Sequence, residues 1–253
     1  MHTNITYLYK LQDEVLSALS EFAKENEFPF VLTGGTALVR FLLKQHYRIS
    51  YDLDFFSDRL NVFKYWNKKE LEFFLLQNFN VVTFLDLSSS SLRMWRGVVG
   101  YNNTLVNIDF VDDQFSGIFK TTHLEGFPHL KVETIDEGIY FRKLFAVITG
   151  ADNEKTIERI KDVVDLIQLD KVIPLPEFIE CKFIPIMKEN VGILDTEQFL
   201  TKFRLLHRIL NENREEATVM LKETLLTKLT IKGILRWVEE KLKDLTVHFQ
   251  QNR

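Results

Sequence analysis

The sequence predicts an α/β fold: a mixed, twisted β-sheet of about five strands flanked by helices, followed by a C-terminal helical bundle. Three observations carry this. Residues 28–58 run as apolar strand, glycine turn, helix and second strand. Residues 80–111 hold three further segments rich in Val, Thr and aromatics, separated by turn residues. After Pro174 and Pro176, which interrupt the helical pattern, every periodic segment has helical spacing. The expected division is an α/β core over residues 1–130 and a helical domain over 131–253. A chain of 253 residues with 45% hydrophobic and 27% charged residues has room for this and the balance of a soluble globular protein.

In chain order, Tyr7 to Lys24 reads as an amphipathic helix, with Leu8, Leu11, Val15, Leu16 and Leu19 at helical spacing. The apolar run Phe28-Pro29-Phe30-Val31-Leu32 then ends in Thr33-Gly34-Gly35-Thr36, and an apolar helical stretch covers Ala37 to Leu43. Glycines let the backbone approach a ligand closely and turn its N–H groups toward an anion at a helix N-terminus. A short strand follows and carries Asp52 and Asp54. Residues two apart on a strand share a face, so the two carboxylates project together while Leu53 and Phe55 point into a core. At about 5 Å and an effective dielectric near 20, two such charges repel by about 3 kcal/mol. One of them takes a proton, or a cation sits between them. A phosphate cradle followed by a cation clamp is equipment for nucleotidyl transfer.

Asn67 to Asn78 reads as a short helix with Asn67 as N-cap. Asn80–Leu87, Leu92–Tyr101 and Thr104–Val111 read as strands, with turns at Ser88–Ser91 and Gly100–Asn103. The last strand places Asn107, Asp109 and Val111 on one face. An acid inside a central strand needs a cation or a donor. In the company of Asp52 and Asp54, Asp109 is therefore a candidate third ligand, with Asp112 the fallback.

Three carboxylates with hard oxygens suit Mg²⁺, with Mn²⁺ the nearest substitute, better than Zn²⁺, for which no Cys/His cluster exists. Such a set holds two ions about 4 Å apart. His46 lies near the site in sequence but reads as a surface residue. Cys181, the one cysteine, sits in an apolar helical context and is expected to be inert core.

Thr134-Ile135-Asp136-Glu137 has the form of a capping box, so a helix should begin there, with Gly150 as the C′ residue just beyond its end. A second helix is expected from about Glu154 to Asp170, with Ile157, Ile160, Val163, Val164 and Ile167 as its apolar stripe. Asp162 faces away from that stripe but is flanked by Leu166 and Leu169. It needs a partner, and Lys143, Arg142 or Arg159 can serve. Read locally, Lys161 and Asp165 form an i,i+4 pair. Beyond Pro176 the helices expected are Glu177–Lys188, Thr196–Leu210, Glu215–Leu229 and Lys232–Phe249. Their stripes, Leu200/Phe203/Leu206/Leu210 and Ile231/Ile234/Leu235/Val238/Leu242, read as core faces of a bundle, with no catalytic motif.

Two segments resemble a known family. Gly34-Gly35-Thr36-Ala37-Leu38 followed by Arg48-Ile49-Ser50-Tyr51-Asp52-Leu53-Asp54-Phe55-Phe56 is similar to the signature of the AbiEii/AbiGii-type toxin-like nucleotidyltransferases, within the DNA polymerase β-like superfamily. Sixteen residues separate Gly35 from Asp52, an ordinary gap for this branch. Lys143-Leu144-x-Ala146 and Arg159-Ile160-Lys161-Asp162-Val163-Val164-Asp165-Leu166 continue the resemblance, although the Asp152–Thr156 loop is slightly long. The resemblance spans about residues 30–170. It implies a nucleotidyltransferase-like sheet and Mg²⁺-dependent transfer of NMP from an NTP to an acceptor hydroxyl. Gly34, Gly35, Thr36 and Ser50 would bind nucleotide, and Asp52, Asp54 and Asp109 would hold metal. Lys143 would neutralise phosphate and Asp162 would support it. It further implies an RNA acceptor such as tRNA and a cognate antitoxin.

Other readings are transfer to a small molecule, a different phosphotransfer of kinase type, and a non-catalytic nucleotide- or partner-binding module. Net charge is −4, although residues 199–253 carry 11 Lys+Arg against 7 Asp+Glu. The whole chain is thus no obvious nucleic-acid binder, while its mildly basic end would suit a polyanionic acceptor. No 18-residue apolar window exists, so no membrane span is expected. Met1-His2-Thr3-Asn4 lacks a secretory pattern, and the cytoplasm is the expected compartment.

Overall fold

The computed structural model describes residues 5–89, 93–101, 104–151, 157–192 and 195–251, in two compact units, Met1–Thr134 and Ile135–Arg253. The expected turns at Ser88–Ser91 and Gly100–Asn103 fall partly outside the described residues, as does the start of the helix expected from Glu154. The Asp152–Thr156 loop lies wholly outside them.

The first unit is built on a seven-stranded mixed sheet. Its strands are β1 (Phe30–Thr33), β2 (Leu53–Ser57), β3 (Val81–Asp86), β4 (Arg93–Tyr101), β5 (Thr104–Asp112), β6 (Thr121–Leu124) and β7 (Phe127–Glu133), in the order β3-β4-β5-β2-β1-β7-β6. The β2–β5 and β1–β7 pairs are parallel and the other four antiparallel. Two strands exceed the five expected. The β6–β7 hairpin turns at Gly126, whose φ is +82°. Pro128 argues against a strand in sequence. It is tolerated because β7 pairs with β1 only through Lys131 and Val132.

Helix α1 (Ile5–Glu25) buries Leu8, Leu11, Val15, Leu16 and Leu19, the predicted stripe. Helix α3 (Lys68–Leu76) starts at Asn67, whose side chain accepts from the Lys69 N–H. One face of the sheet carries an aromatic core. Phe30 and Phe110 lie 4.8 Å apart between ring centroids, Phe55 stacks on Phe110 at 5.5 Å, and Trp66 meets Phe30 at 4.8 Å. Each fully buried ring contributes about 1.5–3 kcal/mol. This layer holds β1, β2 and β5 rigidly, and the opposite face of the same strands carries the acids.

The second unit is helical. It contains α4 (Tyr140–Gly150), α5 (Ile160–Leu169), a run from α6 (Leu175–Phe178) through a wider turn to α7 (Ile184–Asn190), α8 (Thr196–Glu212), α9 (Arg214–Thr224) and α10 (Ile231–Gln251). Pro174 and Pro176 open α6 rather than merely ending what precedes them. Asp170 ties the unit together: its carboxylate accepts from the Leu175 N–H, from Trp237 Nε1 and from Lys241. Leu200, Phe203, Leu206 and Leu210 of α8 are buried, as are Ile234, Leu235 and Val238 of α10.

Two helix-end expectations fail. The Thr134 capping box does not form: Thr134 Oγ1 has no hydrogen-bond partner among the described residues, Lys182 pairs with Glu137, and the chain enters by a π-helical stretch, Ile135–Ile139. Gly150 is the last residue of α4, not a left-handed residue beyond it. Cys181 is exposed rather than core, because the wide turn Ile179–Phe183 buries Ile179 and Phe183 and leaves Glu180 and Cys181 outside.

Candidate active site

The acids of the first unit are placed by strand register. Asp54 stands opposite Thr33 on β1 and opposite Asp109 on β5, and Asp109 stands opposite Arg96 on β4. Directly paired residues share a face, and neighbouring strands lie about 4.8 Å apart. Arg96, Asp109, Asp54 and Thr33 therefore form one row across four strands. The Thr33 hydroxyl extends it by donating to Glu133 of β7 at 2.6 Å. Asp52 lies one pleat back beside Asn107, whose amide donates to it at 2.9 Å. Leu53 and Phe55 are fully buried on the other face, as the alternation predicted.

The glycine turn packs directly on this row. Helix α2 (Gly34–Thr36) begins immediately after β1 and continues as a π-helical stretch, Ala37–Leu42. Gly34 has φ +70°, and a Cβ there would fall on the Asp54 carboxylate. A Cβ on Gly35 would meet the Arg48 guanidinium and the Ser50 hydroxyl. Thr36 Oγ1 donates to the Asp52 carbonyl at 2.6 Å. The side chain of Thr33 does not cap the helix, so its first N–H groups are left to other acceptors. Gln12, fully buried on α1, holds the approach to Asp52 by donating to the Ser50 and Tyr51 carbonyls at 3.0 and 3.1 Å. The sequence signal for it is a glutamine within an otherwise apolar stripe.

Asp109 is buried and has its donor. Arg96 Nε reaches Oδ1 at 2.8 Å and Nη2 reaches Oδ2 at 2.7 Å, a bidentate fork. The Asp109 hydrogen bonds hold the Arg96 guanidinium above its usual pKa, and the charges of Asp109, Asp52 and Asp54 act in the same direction. Arg96 was missed by sequence reasoning, yet the Asn102-Asn103 pair in the sequence carries a hairpin signal. Pairing Tyr101 with Thr104 fixes the register that puts Arg96 opposite Asp109. Asp112 faces the other way and accepts from Ser57 at 3.1 Å, which removes it as a fallback.

The donor set fits a hard divalent cation at Asp52 and Asp54. Among the described residues no group of three Asp, Glu, His or Cys side chains is assembled to hold a metal, and both Asp109 oxygens are engaged by Arg96. His46 is an exposed residue whose ring lies 5.8 Å from that of Tyr9.

Lys143 and Asp162 belong to the second unit. Lys143 Nζ lies 2.7 Å from Asp162 Oδ1 and 2.9 Å from Asp165 Oδ2, and all three residues are buried. Arg159 Nη1 stands 3.5 Å from Asp162 Oδ2, near enough for attraction but without a hydrogen bond to that oxygen. Asp165 is thus held by Lys143 across α4 and α5, and the local reading of a Lys161 pair misses this.

A family model described as nucleotidyl transferase AbiEii toxin, type IV TA system, matches residues 14–181. Two solved Helicobacter pylori chains are similar. One is JHP933, at 14% identity and TM-score 0.36, covering 88% of this chain and 98% of that one. The other is provisionally assigned as a nucleotidyltransferase, at 14% identity and TM-score 0.37, covering 97% and 99%. Likeness of this size fixes neither fold nor function. No curated protein matches the chain significantly.

Proposed function

Because the chain belongs to the nucleotidyl transferase AbiEii toxin family of type IV toxin–antitoxin systems, we propose that it transfers NMP from an NTP to a hydroxyl of an RNA such as tRNA, in a Mg²⁺-dependent reaction. The observation that carries this reading is the register of Asp54 with Asp109, with Asp52 one pleat back and Gly34 packed against Asp54.

Gly34, Gly35 and Thr36 present helix-start N–H groups to the phosphates, with Ser50 beside them. Asp52 and Asp54 hold Mg²⁺, or Mn²⁺ in its place, and Asp109 joins when Arg96 releases it. The chemistry such an ion supplies is neutralisation of phosphate charge and acidification of the acceptor hydroxyl. Lys143, clamped between Asp162 and Asp165, neutralises phosphate. A cognate antitoxin is the protein partner and the cytoplasm the compartment. Among the described residues no helix is long and apolar enough to cross a membrane.

The test is labelling of total cellular RNA with each α-³²P-NTP in turn, with and without Mg²⁺. An Asp52→Asn/Asp54→Asn variant is the control. The expected result is label on a discrete RNA from one NTP, absent in the control. Failure with every NTP, while nucleotide still binds, would redirect the search to small-molecule acceptors. Failure of NTP binding as well would overturn the enzyme reading.

A further inference from the structure

Resting on the reading of Asp52, Asp54 and Asp109 as the cation site, we propose that Arg96 is a positioning residue that serves as the site's built-in counter-cation. It holds Asp109 in register and competes with the divalent cation for the same carboxylate oxygens.

Three features support this. The fork engages both oxygens of Asp109, at 2.8 and 2.7 Å, so an ion on this carboxylate has to share it with the guanidinium, whose charge repels the ion, or displace one of these bonds. The two partners are unequally free to move. The Asp109 side chain is 9% exposed and Arg96 49% exposed, so the guanidinium can swing to water at little desolvation cost whereas Asp109 cannot leave. Finally, the strand register sets Arg96 opposite Asp109 and Asp109 opposite Asp54, so the guanidinium stands in the row of acids and answers their combined field. A hard dication would answer the same field. An arginine at this place sets a threshold that metal binding has to overcome.

The experiment measures Mn²⁺ binding to the full chain without nucleotide, by calorimetry and by the Mn²⁺ paramagnetic resonance signal. Arg96→Gln is expected to bind Mn²⁺ about tenfold tighter than the unaltered protein, an effect of the size that ligand-supporting residues exert. Its thermal midpoint should fall without metal and recover with Mn²⁺, and Arg96→Gln/Asp109→Asn should lose both the tighter binding and the recovery. Arg96→Lys keeps one charge but not the fork, so a gain of a few-fold is expected there even if the glutamine variant folds poorly. Equal or weaker Mn²⁺ binding in these variants, with saturable binding by the unaltered protein, would overturn the role of Arg96 and leave the proposed function standing. No saturable Mn²⁺ binding in any of them would overturn both.

Discussion

The sheet and the helical unit each bury acids beside a cation, and they do so by different means. On the sheet, Asp109 is held by a half-exposed arginine on the neighbouring strand, placed by register. In the helical unit, Asp162 and Asp165 share a single buried lysine. The first arrangement can exchange its cation with solvent near at hand. The second is enclosed, and its lysine cannot leave without being lost to two buried carboxylates at once. Buried ion pairs add little net stability relative to apolar packing, but breaking one from a single side is costly. The same chemistry is therefore exchangeable in one unit and enclosed in the other.

The sharpest way to break this contrast is Lys143→Met, which removes from Asp162 and Asp165 the buried lysine they share. A loss of about 3–5 kcal/mol is expected, read as a lowered urea midpoint by circular dichroism. Lys143→Met/Asp162→Asn/Asp165→Asn should recover much of it. If Lys143→Met costs less than about 1 kcal/mol, the pair is solvated in practice and the two units do not differ in this respect.

That contrast also marks how far the sequence could be read. The Asp52/Asp54 face and the Leu53/Phe55 core followed from period-two alternation, and the α1 stripe and the Asn67 cap from local rules. These depend on neighbours in sequence, where pattern and geometry are tied. Arg96, Asp165 and Gln12 were missed because their partners lie 13, 22 and 38 residues away in sequence, and only register or helix pairing joins them. The β6–β7 hairpin was not anticipated, and Pro128 is a local signal against a strand there. The capping-box pattern at Thr134 and the apolar setting of Cys181 misled because tertiary contacts and a widened helical turn overrode local preference. The labelling assay with variants at Lys143 and Asp162 tests their part in the reaction.

A smaller effect tests the glycine turn. Gly34→Ala and Gly126→Ala both place a Cβ at positive φ, at +70° and +82°. The backbone cost is about 1–2 kcal/mol at either position. At Gly126 nothing lies within 4 Å of the added carbon, whereas at Gly34 it falls on the Asp54 carboxylate. Thermal unfolding should therefore show the larger loss for Gly34→Ala, and only Gly34→Ala should abolish transfer. Equal losses with transfer retained would mean that Gly34 is a turn residue alone.

The smallest expected effect concerns the link between the turn and the acids. Thr36 Oγ1 donates to the Asp52 carbonyl across sixteen residues of sequence, and Thr36 is buried. Thr36→Val keeps the shape and removes the donor, leaving the carbonyl without it at a cost of about 0.5–1.5 kcal/mol. Thr36→Ser keeps the donor and removes a methyl group. If the bond serves to place Asp52 beside the helix start, the valine variant should lose more NTP affinity than its loss of stability explains, and serine should restore it. Should both variants lose affinity alike, packing of the methyl group rather than the hydrogen bond sets the distance between the turn and the acids.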